Sequence, residues 1–148
     1  MNIGSGSPYP AGALSNFAPH PFVFDGVECA SMEGLLQSFK FDKPLVQEQV
    51  CKLIGRAAKS RGAHRDWKRT QTLWWAGVRY PRGSDEYQEL LDRAFRALAT
   101  NESFRRALLA SGDAVLTHTQ GRSRERDTIL TRVEFCSRLT ALREELRA

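Results

Sequence analysis

Residues 22–41 read Phe22-Val23-Phe24-Asp25-Gly26-Val27-Glu28-Cys29-Ala30-Ser31-Met32-Glu33-Gly34-Leu35-Leu36-Gln37-Ser38-Phe39-Lys40-Phe41. Two short runs, Phe22–Phe24 and Val27–Cys29, flank Asp25-Gly26, a dipeptide that strongly marks a two-residue hairpin turn. The pattern then changes at Ser31, a good helix N-cap, and predicts a helix over 31–40. Within it Glu33, Gln37 and Lys40 fall at i, i+4 and i+7 and share one face, while Leu35, Leu36 and Phe39 turn elsewhere. A carboxylate, an amide and an ammonium on a largely apolar helix are expensive to bury without partners. The stripe is therefore either solvated surface or the wall of a polar pocket. Glu33 lies in the first turn, where the helix dipole favours its anionic form, and an ionised carboxylate there could stabilise positive charge or take a proton from water.

Working outward, residues 1–20 are rich in Gly, Ser, Pro and Ala and predict loop or extended chain. Pro44 starts a helix through Leu53, and Gly55 and Gly62 bracket a short basic helix or turn. Asp66 is expected to cap a helix through Trp67–Ala76 that ends at Gly77, with Pro81-Arg82-Gly83 as loop. Ser84 caps a helix whose Leu90, Leu91, Ala94, Phe95 and Leu98 recur at helical spacing, and Asn101 caps the next, ended near Gly112. Ala114–Thr119 reads as a short buried strand or extended link, and Gly121–Asp127 as a charged loop. Thr131 or Val133 opens a last helix with Phe135, Leu139 and Leu142. The expected fold class is mainly α with a small antiparallel β element, α+β, as a single domain over residues 1–148.

The 148 residues carry a net charge of +5. Residues 1–60 hold five basic and five acidic side chains, whereas 61–148 hold 17 basic ones, sixteen of them arginine, against 12 acids. Arginine binds phosphate and carboxylate bidentately, so the excess suits either a solvated surface or a phosphate-bearing ligand such as nucleic acid. No apolar run reaches the roughly 18–20 residues of a membrane span, and the start carries no secretory signal, which predicts a cytoplasmic protein with no membrane partner. Cys29, Cys51 and Cys136 match neither a disulfide framework nor a zinc site, so they are expected reduced and structural, with no metal and no cofactor. Nucleotide-binding glycine motifs and the Gly-x-Ser-x-Gly elbow are absent.

Three further segments offer chemistry. In Leu14-Ser15-Asn16-Phe17, Asn16 either caps a turn or offers its amide to a ligand. Trp67 is either core or, among Arg61, His64, Arg65, Lys68 and Arg69, a platform for a base. In Leu116-Thr117-His118-Thr119 the threonines either satisfy local backbone or flank His118 as an acid, base or phosphate donor.

Taken in order, Gly12–Phe17, Pro21-Phe22 with Asp25-Gly26-Val27, Ser31-Met32-Glu33 through Gln37 and Lys40-Phe41, Ile54-Gly55, Ala58-Lys59, Asp66-Trp67-Lys68, Ala107–Asp113 and Leu116–Thr119 resemble the NADAR, or YbiA-like, family. The resemblance implies a YbiA-like domain that acts on N-glycosidic bonds of phosphorylated ribose. Family members hydrolyse riboflavin-pathway intermediates or remove ADP-ribose from guanine, reversing toxins that modify DNA. It implies catalytic roles for Glu33 and Lys40, and substrate-binding roles for Asn16, Phe17, Gln37, Trp67, His118 and Thr119. The expected partner is ADP-ribosylated nucleic acid or an ADP-ribose-like small molecule, with the oligomeric state open. A non-catalytic NAD or ADP-ribose-binding module is the alternative from another class. The sequence departs from the family at Gly34, where a histidine is usual, and after Thr119, where Gln120–Arg124 replaces a Trp-Gly pair.

Overall fold

The computed structural model describes residues 1–148. Strands β1 (Phe22–Phe24) and β2 (Val27–Cys29) pair antiparallel, with Phe22 opposite Cys29 and Phe24 opposite Val27. Asp25 and Gly26 take φ of 48° and 79°, the left-handed pair that a two-residue hairpin requires and that Asx and Gly tolerate. Helix α1 (Met32–Ser38) follows, with Ser31 Oγ accepting from Gly34 N at 3.1 Å. It ends two residues before the expected Lys40, because Phe39, Lys40 and Phe41 donate to carbonyls three residues back and tighten the last turn. Then come α2 (Pro44–Cys51), α3 (Gly55–Ala63) and α4 (Trp67–Thr70).

The helix expected over Trp67–Ala76 does not form. Gln71 turns left-handed at φ 51°, and the chain continues as a second hairpin, β3 (Thr72–Trp75) with β4 (Val78–Pro81). Asp66 caps nothing with its side chain and instead pairs with Arg69. Along β3 the buried residues are Leu73 and Trp75, a period of two, and β-branched and aromatic residues dominate both strands. Ala76-Gly77, at φ 50° and 83°, repeats the turn geometry of the first hairpin. Gln47 docks this hairpin on α2: its amide donates to Trp74 O at 2.8 Å and accepts from Ala76 N at 3.2 Å.

Helices α5 (Asp85–Leu98), α6 (Glu102–Ala110) and α7 (Arg132–Arg147) begin behind Ser84, Asn101 and Thr131, each accepting from the backbone three residues on. Short 3-10 turns lie at Gly12–Leu14 and Glu125–Asp127. Ala114–Thr119 is an extended link rather than a buried strand: Val115 is 77% exposed, and the segment meets Asn2 through one parallel bridge at Thr117. The result is the expected α+β class, with two small hairpins where one was foreseen. The buried apolar side chains of both hairpins and of α1, α5, α6 and α7 merge into one core. Cys29 and Cys51 lie within it as free thiols. None of the helices is long and apolar enough to cross a membrane.

Two features fix how these elements meet. Arg82, in the expected Pro81–Gly83 loop, is 2% exposed and grips Glu134 with both guanidinium ends, at 2.6 and 3.1 Å, while its Nε donates to Thr128 O at 2.8 Å. Glu134 also accepts from Gln88 Nε2 at 2.7 Å and Thr131 N at 2.7 Å, so every lone pair the burial strips of water is answered. Burial pushes its carboxyl up, but Arg82, Gln88 and Thr131 together hold it below its ordinary range. The second feature is Gly34. A Cβ there would stand 2.6 Å from Leu53 O and about 3.0 Å from the carbonyls of Val50 and Cys51, so α1 and the end of α2 approach as closely as backbone allows. The histidine usual in the resembled family has no room in this chain.

Breaking the pair with Arg82→Met should cost about 3–5 kcal/mol in urea unfolding, because Glu134 is left charged and buried, and Arg82→Met/Glu134→Gln should recover part of it. A single variant as stable as the parent would show that the pair contributes nothing. The depressed Glu134 carboxyl stabilises the fold fully above its unfolded value, near 4.5, and that contribution is lost as pH falls through the folded value below it. The acid slope should therefore flatten in Glu134→Gln. Gly34→Ala should cost about 1–3 kcal/mol, read from its thermal midpoint, since only backbone can yield to the new methyl.

Candidate active site

The site grows from the first turn of α1. Glu33 N donates to Asn16 O at 3.0 Å, so the irregular loop after Gly12–Leu14 is stitched to the helix start beside the carboxylate. Ser15 Oγ accepts from Phe17 N at 3.2 Å and sets the turn that brings Asn16 there. One helical turn on, Gln37 Nε2 donates to Glu33 Oε1 at 3.0 Å. That bond fixes the amide, leaving Gln37 Oε1 buried and without a partner, as is Asn16 Oδ1. Gln37 Oε1 faces Gly62 of α3, whereas Asn16 Oδ1, on the loop bonded to the start of α1, is a buried acceptor that a donor from a ligand could answer. The stripe is not solvated surface: Gln37 is buried and Glu33 and Lys40 are half-buried.

Its charges come from four elements. Burial raises the Glu33 pKa, opposed by the Gln37 hydrogen bond and by the positive fields of Lys59, Lys40 and His118. Burial lowers the Lys40 pKa; Glu33 opposes this, and Lys68 and Lys59 add to it. Lys59 on α3 and Lys68 on α4 are thus parts of the site that the stripe alone did not disclose, although Gly55 and Gly62 did mark a basic helix. Gly62 is the device that seats α3 here: a Cβ would meet Gln37 Oε1 at 1.9 Å and Lys40 Cδ at 3.2 Å.

His118 arrives from the extended link. Its Nδ1 sits 2.8 Å from Ile3 O, an acceptor, so Nδ1 carries the proton in the neutral ring and Nε2 keeps its lone pair. Phe135 meets the ring edge-on at 5.2 Å between centroids, and Gly121 packs so close to Cδ2 that a Cβ would stand 2.7 Å away. Thr119 is tied instead to Asn2, giving its N–H to Oδ1 at 3.0 Å and receiving Nδ2 at 2.9 Å, and it is exposed. Phe17 is half-buried against Gly55. Trp67 is 6% exposed and belongs to the core, so a base can reach at most its rim. Asn16, Glu33, Gln37, Lys40 and His118 come together; Trp67 and Thr119 stand outside this group.

The arginine excess after residue 60, expected at a solvated surface or on a phosphate-bearing ligand, in part serves neither. Arg82, Arg138 and Arg143 are structural: Arg138 binds Asp92 and Gln88, and the buried Arg143 donates to Ser111 Oγ and Ala114 O. A surface groove of about 480 Å³ is lined by Pro21, Phe22, Val23, Glu28, Cys29, Ala30 and Lys52. It contains no member of the Glu33 cluster. Chemistry selects the site, because the groove holds no unpartnered buried acceptor and its one shifted group, the Cys29 thiol, is pushed up by Cys51 and burial and so kept protonated.

Residues 8–144 match the family described as bacteriophage protein GP30.3. A protein of Enterobacteria phage T4, described as an uncharacterized 17.1 kDa protein in the Gp30-rIII intergenic region, is 41% identical over 152 residues, covering 99% of this chain and 98% of the phage protein. Among solved structures, the NMR structure of the E. coli protein YbiA matches with a TM-score of 0.66 over 99% of this chain and 84% of that one. At 22% identity that likeness concerns the fold, which is YbiA-like. With the family match spanning nearly the whole chain, including every residue of the cluster, the protein belongs to the bacteriophage GP30.3 family.

Proposed function

We propose that the chain is an N-glycosidase of the NADAR type that hydrolyses the bond between ADP-ribose and guanine in nucleic acid. The observation that carries this reading is a half-buried carboxylate, Glu33, bonded by Gln37 and acted on by the charges of Lys40, Lys59 and His118, with the unpartnered buried Asn16 Oδ1 on the loop stitched to its backbone. On this reading a ribose hydroxyl donates to Asn16 Oδ1 and the Glu33 carboxylate is set against the anomeric carbon. As the glycosidic bond breaks, its electrons leave with the guanine nitrogen and positive charge spreads over C1′ and the ring oxygen. Glu33, as an anion, stabilises that charge and takes a proton from the water that adds to C1′.

Lys40 and Lys59 keep Glu33 ionised against its burial and lie where a diphosphate needs cations. Lys40 has a second role open to it: its lowered pKa favours the free amine, which can form a Schiff base with a ring-opened ribose. Borohydride trapping separates the two roles. His118 offers Nε2 as an acceptor for a hydroxyl or the attacking water while Ile3 holds its other nitrogen.

The test is release of ADP-ribose from guanine-ADP-ribosylated DNA, with Glu33→Gln in parallel. The variant should lose about 10²–10⁴-fold in kcat. Wild-type activity should rise with pH through a value above the ordinary 4.5 of a glutamate, because the anion is the active form and its pKa is raised. No release by the wild type overturns the substrate; full activity in Glu33→Gln overturns the mechanism. Loss of ribose phosphate from a pyrimidine riboflavin intermediate instead would assign a small-molecule glycosidase, and ADP-ribose binding without turnover a module. His118→Asn, whose amide reproduces the Nδ1–H bond to Ile3 but lacks Nε2, should keep its melting temperature and lose about tenfold or more in kcat.

A further inference from the structure

The net charge of +5 is not spread where the sequence counts it. All eight ion pairs of the protein use arginines outside residues 49–65. Between Gln49 and Arg65 the chain carries Lys52, Arg56, Lys59, Arg61 and Arg65, all exposed, and no carboxylate. Two of these are specially held. Arg61 Cζ lies 4.6 Å and Arg65 Cζ 4.9 Å from the centroid of the Phe41 ring, and Arg65 Nε donates to Lys40 O at 3.4 Å. Like charges four residues apart repel, and here no acid offsets them; the shared ring does so only in part. What the arrangement gains is two guanidiniums held over one ring, with N–H donors other than Arg65 Nε left for phosphate oxygens.

Their position says which phosphates. The charges that act on Glu33 are those of Lys59, Lys40 and His118, and neither Arg61 nor Arg65 is among them. Geometry puts the two arginines on the Lys40 side of the site: Arg61 adjoins Gly62, which packs on Gln37 and Lys40, and Arg65 donates to Lys40 O. A base paired inside a duplex cannot bring its glycosidic bond to a half-buried carboxylate, so a polymeric substrate must enter single-stranded or flipped. Building on the glycosidase reading, we propose that Arg61 and Arg65, stacked on Phe41, form a docking strip for the sugar–phosphate backbone of single-stranded nucleic acid flanking the target nucleotide.

The experiment measures fluorescence anisotropy of a labelled, unmodified oligothymidylate against KCl concentration, with melting temperatures taken for each variant. Arg61→Ala/Arg65→Ala is compared with Arg79→Ala/Arg105→Ala, which removes the same charge from exposed arginines outside the strip. The strip variant should lower the slope of log K against log salt by about 1.4, two phosphate contacts at about 0.7 each, and the control should leave it unchanged. Arg61→Lys/Arg65→Lys, which keeps charge but not the fork, should bind more weakly than wild type and more tightly than the alanine variant. In turnover, the strip variant should raise KM about tenfold for ADP-ribosylated oligonucleotide and leave ADP-ribosylated guanosine unaffected. Equal losses in strip and control, no binding by the wild type, or equal impairment on the mononucleoside would overturn the proposal. Oligonucleotide binding that depends on Arg61 and Arg65 without turnover of either substrate would support the strip while the glycosidase reading fails.

Discussion

The bidentate pair between Arg82 and Glu134 is the contact on which the arrangement of the site depends. It joins the end of β4 to the first turn of α7, and Gln88, Thr128 and Thr131 complete its hydrogen bonds. Phe135, the next residue of α7, packs in the core against Phe95 and meets the His118 ring edge-on. Ile3 holds the other side of the imidazole. A buried charge pair far from Glu33 in sequence thereby sets a group whose field reaches Glu33. Such pairs add little net stability over apolar packing, but losing one partner is costly, which makes the geometry specific.

Around Glu33 the same precision comes from absent side chains. Gly34 lets the carbonyls of α2 approach α1, and Gly62 lets α3 close over Gln37 and Lys40. With both helices so near, Glu33 and Lys40 lose water, and burial drives their pKa values toward each other. A carboxylate harder to ionise and an amine easier to deprotonate are what proton transfer near neutral pH requires. The strain of keeping both, together with two open acceptors, is the kind of local cost that accompanies a binding site.

Charge follows a parallel logic. Most arginines of the C-terminal half serve the fold through pairs with acids or carbonyls, as Arg138, Arg143 and Arg147 do. Among the cations without acidic partners, five follow one another between Gln49 and Arg65 with no carboxylate between them, and two of these lie beside Phe41. A count by sequence segment could not separate these populations, because each pairing acid lies close in space and often distant in number: Asp25 for Arg93, Glu134 for Arg82.

The sequence by itself determined the first hairpin, the capped helices and the Glu33–Gln37–Lys40 face. These follow from local rules: an Asp-Gly turn, Ser31, Ser84, Asn101 and Thr131 as caps, and a period of 3.6. It did not disclose the second hairpin, because Trp67–Thr70 starts as a helix and Ala76-Gly77 is a weaker turn signal than Asp25-Gly26. There tertiary contact decided, with Gln47 and the core taking Leu73 and Trp75 at a strand's period. Tertiary structure alone also placed Trp67 in the core, moved Arg82 from loop to interior, and brought the charges of Lys59 and His118 to bear on Glu33 and that of Lys68 on Lys40. Whether a polar stripe is surface or pocket depends on what other segments bring within a few ångströms, and only the folded chain supplies that.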